Sequence, residues 1–550
     1  MARLDFKGKT FVQNYHLAVK YHELVPVKSK SLTKKVSLHD NLIIHGDNLI
    51  ALKALLPIYA GKVKCIYIDP PYNTGNEGWV YNDNVNSPMM QDWLGKVVDK
   101  EDLTRHDKWL CMMMPRLKLL RELLAPDGII AITIDDNELF DIGLLLNEIF
   151  GEDKILACAP WLAEPSGGKE KTGLRGGHEY VLIYHNGDSN SITQEERSTG
   201  DLNLKDSIGP YRKGRELRKW GGTSLRSDRP GQWYALKAPD GTNVFPIRND
   251  GREGHWRWGK DNPKIIQILQ NSDLLHWEKR PYDEGAEYNG QTERWVPYVK
   301  IRDKKKSVGW STWLDSYGFN ADGTRELKDI FGKKIFETPK PTTLIQWIIS
   351  LHCDENAIVL DSFPGSGTTA QAVLALNKED GGNRRFILIE CEDYADKITA
   401  ERVRRVIKGV DDAKDEDLKN GYGGSFSYFD VGKPIEMDEI LTGKNMPDYG
   451  ELARYVFYTA TGEEFDPDAV DEKNHFIGES KDWLVYLFYK PDMEYLKATA
   501  LTLERAEALG PYKKKRRLVF APTKYLDQDY LDRFRIDFAQ LPFEIYKMAK

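Results

Sequence analysis

The segment AIVLDSFPGSGTTAQAVLALN, residues 357–377, decides the fold class. Its first residues form an apolar run typical of a buried strand, and the residues from Thr368 onward have the composition of a helix. Between them, Gly365 and Gly367 allow a tight turn and a close backbone approach, because neither has a Cβ. Free N–H groups at the start of the helix suit an anionic group. Strand, glycine turn and helix in this order predict an α/β fold with a ligand-binding loop.

The next predicted strand, RFILIE (385–390), ends at Glu390, 23 residues after Gly367. An acid at the end of the strand that follows a glycine loop can accept hydrogen bonds from both ribose hydroxyls. The loop and Glu390 together predict a nucleoside-bearing cofactor. Because GSGTTA also fits the looser dinucleotide pattern GxGxxG/A, NAD and S-adenosylmethionine are both compatible with it. A dinucleotide-dependent oxidoreductase is therefore one alternative.

Outward from this unit, short apolar strands alternate with amphipathic helices along most of the chain. Earlier strands are predicted in NLIIH (41–45), KCIYI (64–68), GIIAITI (128–134) and EYVLIYH (179–185). Such alternation predicts a sheet covered by helices on both faces. The pattern stops between about 190 and 320, where Gly, Arg and Trp dominate. We therefore predict one α/β domain in two parts, 41–194 and 323–410, with an insertion at 195–322.

The remaining segments are predicted to be a polar N-terminal arm (1–40), a linker (411–425) and a C-terminal α+β domain (426–550). No run approaches the ~20 uncharged apolar residues needed to cross a bilayer, and no secretory signal is visible. The five cysteines are scattered without a CxxC pair, which argues against a disulfide framework and a zinc site. A cytoplasmic protein without a metal is expected.

The charge distribution indicates a polyanionic partner for the insertion. The chain has a formal net charge of −7, yet residues 201–310 hold 22 Lys and Arg against 15 Asp and Glu, so the rest carries −14. Eight of the 14 tryptophans also lie between Trp220 and Trp313. Basic side chains neutralise phosphates and flat rings stack on bases; the alternative is an irregular domain with tryptophans in its core. The candidate nucleic-acid contacts are Arg212, Lys213, Arg215, Arg218, Lys219, Trp256, Arg257 and Trp258.

The tetrapeptide Asp69-Pro70-Pro71-Tyr72 directly follows the strand KCIYI. An exocyclic base amine is a poor nucleophile, since its lone pair is delocalised into the ring. The Asp69 carboxylate and the Pro70 carbonyl can accept its two hydrogens, and two successive prolines hold these oxygens rigidly. Tyr72 can stack on the base, which must leave the duplex to reach it. We therefore predict methyl transfer to a base amine, with Asp69, Pro70, Pro71 and Tyr72 as catalytic residues.

Taken jointly, these motifs resemble those of a known enzyme family. DPPY followed by FPGSGT (363–368) resembles the β class of DNA amino-methyltransferases, in which the catalytic motif precedes the cofactor loop. The resemblance is closer still to modification subunits of Type III restriction–modification systems. Supporting segments are HGDNL (45–49), IDDNE (134–138) and TPKP (338–341). The resemblance implies a circularly permuted Rossmann-like sheet, S-adenosylmethionine as cofactor and double-stranded DNA as substrate, and Asp69 implies the N6 amine of adenine.

The resemblance also implies roles for individual residues and domains. The implied cofactor contacts are Asp47, Asn48, Asp69, Lys340, Asp361, Phe363, Gly365, Ser366, Gly367, Thr368 and Glu390. The insertion would read the DNA sequence, and the C-terminal domain would serve homodimerisation or docking of a restriction subunit with nuclease and ATP-dependent translocase activity. Two further alternatives are a stand-alone DNA amino-methyltransferase (N6-adenine or N4-cytosine) and a non-catalytic DNA-reading module of a defence complex.

Overall fold

The computed structural model describes residues 4–74, 104–167, 170–171, 173–187, 192–435, 446–509 and 514–541. The chain divides into two compact units. One is Gln194–Trp310, whereas the predicted insertion extended to 322; residues from Ser311 onward group with the other unit. That second unit holds the central sheet. In the described part of the chain, no helix is sufficiently long and apolar to cross a membrane.

The central sheet has nine strands, named β1 to β9 in chain order. They are His22–Pro26, Leu42–His45, Val63–Ile68, Leu124–Ile134, Ile155–Leu162, His178–His185, Ile358–Asp361, Arg385–Glu390 and Ser427–Pro434. Their spatial order is β1-β9-β2-β8-β7-β3-β4-β6-β5. The six strands from β9 to β4 run parallel, and β6 is antiparallel to both β4 and β5.

The parallel strands are apolar along their length because helices cover both faces of the sheet. All four residues of β7 are buried, as are five of the six in β8. Strand β3, which leads into Asp69, pairs directly with β7, which leads into the glycine loop. The predicted Rossmann-like sheet is confirmed, and the strand that leads into Asp69 precedes in sequence the strand that leads into the glycine loop.

The helices of this unit up to β9 follow the predicted alternation. They are Lys9–Val12, Tyr15–Ala18, Asn48–Tyr59, Arg105–Leu123, Leu139–Phe150, Asn320–Phe331, Thr342–Ser350, Thr368–Asp380, Glu401–Lys408 and Glu416–Asn420, with a π-helix at Ala395–Ala400 and a 3₁₀ turn at Glu152–Lys154. The helix after β7 begins at Thr368, directly after the glycine loop, as the sequence predicts.

Two segments placed outside the α/β domain by sequence belong to its sheet. The predicted arm 1–40 contains β1, and the predicted C-terminal domain contributes β9, which lies between β1 and β2. The predicted linker 411–425 contains the helix Glu416–Asn420. These assignments differ because β1 and β9 gain their burial from each other and from β2, across hundreds of residues of sequence, which local periodicity does not reveal.

The rest of the C-terminal part builds a smaller α+β layer. Its sheet contains, in spatial order, Phe476–Glu479, Trp483–Leu487, Arg516–Ala521 and Ile536–Gln540, the last three parallel. Its helices are Tyr449–Thr461, Met493–Ala498, Leu503–Ala508 and Gln528–Arg533. Successive side chains of the central strands enter two separate apolar clusters, so both faces of this sheet are covered.

The unit Gln194–Trp310 is mainly antiparallel sheet. A four-stranded sheet contains, in spatial order, Leu204–Lys205, Pro210–Glu216, Glu293–Ile301 and Leu275–Pro281. Two strand pairs, Glu195–Ser198 with Lys305–Val308 and Leu236–Lys237 with Asn243–Val244, and the helix Pro263–Gln270 complete it. Its core is an apolar cluster around Leu217, Tyr234 and Trp256.

Candidate active site

The carboxyl ends of four neighbouring strands bring four acidic residues to one edge of the sheet. In spatial order, Asp47 follows β2, Glu390 ends β8, Asp361 ends β7 and Asp69 directly follows β3. In open α/β sheets, this edge is where ligands bind. The structure therefore places the predicted catalytic motif beside the predicted cofactor loop.

The Asp69 carboxylate is held by three side-chain donors. Its Oδ1 atom accepts hydrogen bonds from the hydroxyls of Thr133, at 2.6 Å, and Tyr72, at 3.0 Å. Its Oδ2 atom accepts one from the Lys340 ammonium at 2.9 Å. The side chain of Asp69 is 23% exposed, so it can still meet a ligand. Such fixed geometry is what electrostatic catalysis requires.

Lys340 lies between two carboxylates. Besides Asp69, the ammonium approaches Glu179 Oε2 at 3.6 Å and lies 4.9 Å from the centre of the Tyr72 ring. Burial opposes the charged form of Lys340, but the two carboxylates outweigh it and raise the pKa of the ammonium above its usual range. Lys340 thus stays positive at neutral pH. The family resemblance implied a cofactor contact for Lys340, whereas its contacts in the structure are with the catalytic motif.

The Tyr72 hydroxyl lies between Asp69 and Glu179, and its single hydrogen can be donated to Glu179 Oε2, at 2.7 Å, or to Asp69 Oδ1, at 3.0 Å. Burial, followed by the nearby carboxylates of Asp69 and Glu179, raises the pKa of this phenol well above its usual value. Glu179 was not predicted as a site residue. It lies at the start of β6, whose antiparallel direction brings its first residues to the same sheet edge.

A hydrogen bond from a tryptophan holds the proline pair in place. Pro70 is buried, and the carbonyl of Pro71 accepts a hydrogen bond from the Trp109 indole at 2.7 Å. With both φ angles already restricted, this contact sets the exit direction of the loop after β3. The loop therefore presents its oxygens at a defined position.

The residue after the tetrapeptide, Asn73, is buried in the left-handed region at φ 58°. Its amide donates to Glu138 Oε1, and His106 Nδ1 lies 2.6 Å from that same oxygen. Burial raises the pKa of Glu138 to about 9, so this carboxyl is protonated at neutral pH. Among the described residues, His106, Glu138 and Asp141 are the one group with metal-ligand spacing. Here, however, Glu138 supports the catalytic loop.

The glycine loop leaves room that any side chain would fill. Gly365 has φ 50°, and a Cβ there would lie 3.0 Å from the Phe336 ring. Gly367 has φ 84°, and its Cβ would lie 3.1 Å from the carbonyl oxygen of Thr399. The helix that begins at Thr368 follows at once. Both glycines are thus required by backbone conformation and by space.

The acids that end β7 and β8 brace this loop. Asp361 accepts hydrogen bonds from the Phe363 N–H at 2.9 Å and the Thr369 hydroxyl at 2.5 Å. Glu390 Oε2 accepts one from the Gly365 N–H at 3.0 Å. Burial raises the pKa of each carboxyl to about 7. Both groups are therefore poised to change charge near neutral pH.

The hydroxyls of Ser366 and Thr368 point toward a buried arginine. Arg402 donates to them at 2.8 and 2.7 Å and to Gln371 Oε1 at 2.9 Å. Its side chain is fully buried. The two hydroxyls thus hold the loop from behind, and only their backbones remain for a ligand. Arg402 was not predicted as a site residue, because nothing in its amphipathic helix Glu401–Lys408 distinguishes it from a surface arginine.

Asp47 and Asn48 join the loop after β2 to the glycine loop. Asp47 caps the helix Asn48–Tyr59 by accepting a hydrogen bond from the Leu49 N–H at 2.8 Å. The Asn48 amide donates to the Ser362 carbonyl at 2.9 Å, and its oxygen accepts from Arg116 Nε at 2.5 Å. Asn48 is buried, so it supports the site while Asp47 offers an accessible carboxylate.

These donors and acceptors fit a nucleoside cofactor. Each oxygen of Glu390 accepts one backbone hydrogen bond, which leaves further lone pairs for ribose hydroxyls. Asp47 adds a carboxylate, Phe363 a ring, and the two glycines an open backbone. The residues present therefore fit S-adenosylmethionine, which supplies a methyl group activated by a positively charged sulfur.

Residues 63–401 match the family described as DNA methylase, the N6/N4 methyltransferases. The match covers more than half of the chain and contains both DPPY and the glycine loop. The chain belongs to this family. It is a DNA methyltransferase that uses S-adenosylmethionine, as the sequence motifs predict.

The methyltransferase is similar to modification enzymes over most of its length. It is 31% identical to the Type III restriction-modification enzyme EcoPI Mod subunit of Escherichia phage P1, over 73% of this chain and 67% of the relative. It is 31% identical to the StyLTI Mod subunit of Salmonella typhimurium, over 82% and 71% respectively. Identity to the Type II methyltransferase M.KpnI of Klebsiella pneumoniae is 33%, over 66% and 82%. The resemblance to Type III modification subunits is confirmed.

In the unit Gln194–Trp310 of the methyltransferase, several predicted DNA contacts serve the unit itself. Arg218 is buried and donates to Glu216 Oε1 at 2.8 Å. Trp256 is 1% exposed, and its indole donates to the Tyr234 carbonyl. Trp258 packs against the same cluster. The tryptophans of this core therefore follow the structural alternative rather than offering stacking surfaces.

The other predicted basic contacts of this unit are less buried than Arg218. Arg215 is exposed, and Arg212 and Lys219 are half-buried. Lys213 is also half-buried and is paired with Glu278 at 2.7 Å. Arg257 donates to the Glu216 carbonyl at 3.0 Å. A surface for phosphates would depend mainly on Arg212, Arg215 and Lys219.

Proposed function

We propose that the methyltransferase methylates the N6 amine of adenine at a specific site in double-stranded DNA in the cytoplasm. The observation that carries this proposal is the Asp69 carboxylate, held by three donors beside the cofactor loop. An amine with two hydrogens needs such an acceptor to keep its lone pair available. The adenine must be turned out of the duplex to reach it.

In this proposal, the residues of DPPY divide the work of catalysis. Asp69 and the Pro70 carbonyl each accept one hydrogen of the amine, so that its lone pair faces the methyl donor. Tyr72 lies against the flipped base and excludes water from it. The Asp69 carboxylate also stabilises the positive charge that develops on the amine nitrogen, in a site where fixed charges act strongly.

Sequencing of modified bases tests this function directly. DNA from a host that expresses the methyltransferase is expected to carry N6-methyladenine at one recurring sequence, and DNA from a host with the Asp69→Asn variant should carry none. Methylation of cytosine N4 at the recurring site would contradict the choice of base. Absence of any methylated base in both hosts would contradict transferase activity on DNA.

We also propose that Gln194–Trp310 reads the DNA, supported by its basic excess, by the exposed Arg215 and by the half-buried Arg212 and Lys219. Replacing these three residues with glutamine is expected to weaken DNA binding at 0.1 M salt. It should also reduce the slope of log K against log salt by up to about 2.7, since each phosphate contact contributes about 0.9. Titration of labelled duplex at several salt concentrations measures both.

A matched triple variant controls for the change in net charge. Lys28, Lys34 and Lys35 are exposed and lie outside this unit, and their replacement by glutamine should leave the slope unchanged. Equal slopes for wild type and the Arg212, Arg215 and Lys219 variant would place the DNA surface elsewhere.

We propose further that the protein acts as the homodimeric modification subunit of a restriction–modification system with a nuclease–translocase partner. The similarity to two Type III Mod subunits supports this. The similarity to M.KpnI, a Type II methyltransferase, favours a stand-alone enzyme as the second candidate. Co-expression with the products of neighbouring genes, followed by purification and mass measurement, separates the two.

A further inference from the structure

The active site contains a second carboxylate, Glu179, with a full set of contacts. Its Oε2 accepts a hydrogen bond from the Tyr72 hydroxyl at 2.7 Å and lies 3.6 Å from the Lys340 ammonium. Its Oε1 accepts one from the Asn320 amide at 3.3 Å. The side chain is only 15% exposed. Burial of a carboxylate is unfavourable by itself, so the contacts of Glu179 must offset the cost of its burial.

The groups that donate hydrogen bonds to Asp69 lie where the target amine would bind. The donor groups of Thr133, Tyr72 and Lys340 all lie within hydrogen-bond distance of this carboxylate, so an incoming amine must compete with them. A phenol has a single hydrogen to donate, and the Tyr72 hydroxyl has Glu179 as its closer acceptor. Lys340 can also shift toward Glu179. Glu179 is thus a second acceptor for the two donors that Asp69 has to release.

Glu179 also changes the net charge of the active site. Asp69 and Lys340 alone would sum to zero, and Glu179 makes the cluster net negative. During transfer, the amine nitrogen forms a bond to the methyl carbon while the carbon–sulfur bond breaks and its electrons remain on sulfur. The nitrogen becomes positively charged until one N–H proton leaves to solvent. A net negative cluster stabilises this charge, whereas a neutral one would not.

We propose that Glu179 is a positioning residue of the methyl transfer: it takes the hydrogen bonds of Tyr72 and Lys340 when the target amine binds Asp69, and it balances the charge of Lys340. This inference rests on the proposed function. In this proposal Lys340 acts together with Glu179, because its positive charge is the one that Glu179 offsets.

The substitution Glu179→Gln keeps the shape and the hydrogen-bonding oxygen but removes the charge. We expect kcat to fall by about 10- to 100-fold, in line with loss of one electrostatic group. The Kd values for S-adenosylmethionine and for duplex DNA should stay within about twofold. Glu152→Gln, at an exposed position of the same unit, is the matched control and should leave kcat unchanged.

A double-mutant cycle with Lys340→Met separates positioning from general damage. If Glu179 acts by offsetting Lys340, Glu179→Gln should cause no further loss in the Lys340→Met background. A kcat for Glu179→Gln above half of the wild-type value, or losses that multiply in the double variant, would overturn the proposal. Melting temperatures of all four proteins identify any variant that loses activity by unfolding, and the four kcat values are then compared at a temperature at which all four proteins are folded.

The methylation assay distinguishes failure of the role proposed for Glu179 from failure of the proposed function. Wild-type enzyme that methylates cytosine N4 rather than adenine N6 contradicts the proposed base, and the cycle is then measured on the cytosine amine. Wild-type enzyme that methylates adenine while Glu179→Gln stays fully active contradicts the role of Glu179 alone.

Discussion

Replacing Asp69 with alanine is expected to reduce methyl transfer by about a thousandfold or more while cofactor binding persists. The carboxylate is the acceptor that orients the amine, and removal of one preorganised group from a reacting centre lowers kcat by about 10²- to 10³-fold. Asp69 additionally neutralises part of the nearby Lys340 charge. Its loss therefore removes the acceptor for the amine and also leaves more positive charge beside the amine nitrogen. Single-turnover assays at saturating DNA measure the transfer step, and equilibrium titration measures the affinity for S-adenosylmethionine.

The control for this prediction addresses the buried ammonium. Without Asp69, Lys340 keeps Glu179 at 3.6 Å as its remaining ion-pair partner, and removal of one member of a buried pair is destabilising. Asp69→Asn preserves the volume and one acceptor oxygen, so it should retain more thermal stability than Asp69→Ala with a similar loss of transfer. Near-normal turnover by either variant would refute the assignment of Asp69.

The features that sequence analysis could predict are those encoded locally. DPPY follows an apolar strand without interruption, and the glycine loop lies between a strand and a helix, so both reveal their place in an α/β sheet. Parallel strands then bring their carboxyl ends to one edge, which is why Asp69, Asp361 and Glu390 meet although the insertion separates the first from the others in sequence.

The features that remained hidden depend on contacts between distant parts of the chain. Glu179 enters the site because β6 runs antiparallel beside β4, and a glutamate at the start of a strand otherwise resembles any surface acid. Lys340 was assigned to the cofactor, yet its ammonium contacts a carboxylate 271 residues away. Strand β9 joins the sheet between two partners from the first 45 residues. No local pattern records such pairings.

The composition of residues 201–310 likewise did not reveal which of its side chains are buried. The basic excess of residues 201–310 lies within Gln194–Trp310, which separates from the rest of the chain as a compact unit. The tryptophans of that segment are a different matter. Trp256 lies in the core because a small sheet with short strands needs large side chains to bury enough apolar area. Composition alone does not distinguish a stacking ring from a core ring.

The second large effect is expected at the cofactor loop, where Gly367→Ala should raise the Kd for S-adenosylmethionine at least about tenfold, equivalent to about 1.4 kcal/mol. The left-handed conformation at φ 84° alone costs a non-glycine residue about 1–2 kcal/mol. In addition, the new Cβ would lie 3.1 Å from the Thr399 carbonyl oxygen, a backbone atom that cannot rotate away. The loop must therefore shift, and with it the first turn of the helix that begins at Thr368.

Gly381, at the opposite end of the same helix, offers a control. It follows the helix at φ 76°, and a Cβ added there would meet no heavy atom of the described residues within 4 Å, so Gly381→Ala carries the conformational strain without the clash. Both variants should lose a similar part of their stability through φ, but only Gly367→Ala should lose cofactor affinity, as measured by calorimetric titration. Equal affinities in the two variants would mean that the glycine loop does not contact the cofactor. A loss confined to Gly367→Ala would instead assign the effect to the contact with Thr399 and the shift of the glycine loop, because the conformational strain is common to both variants.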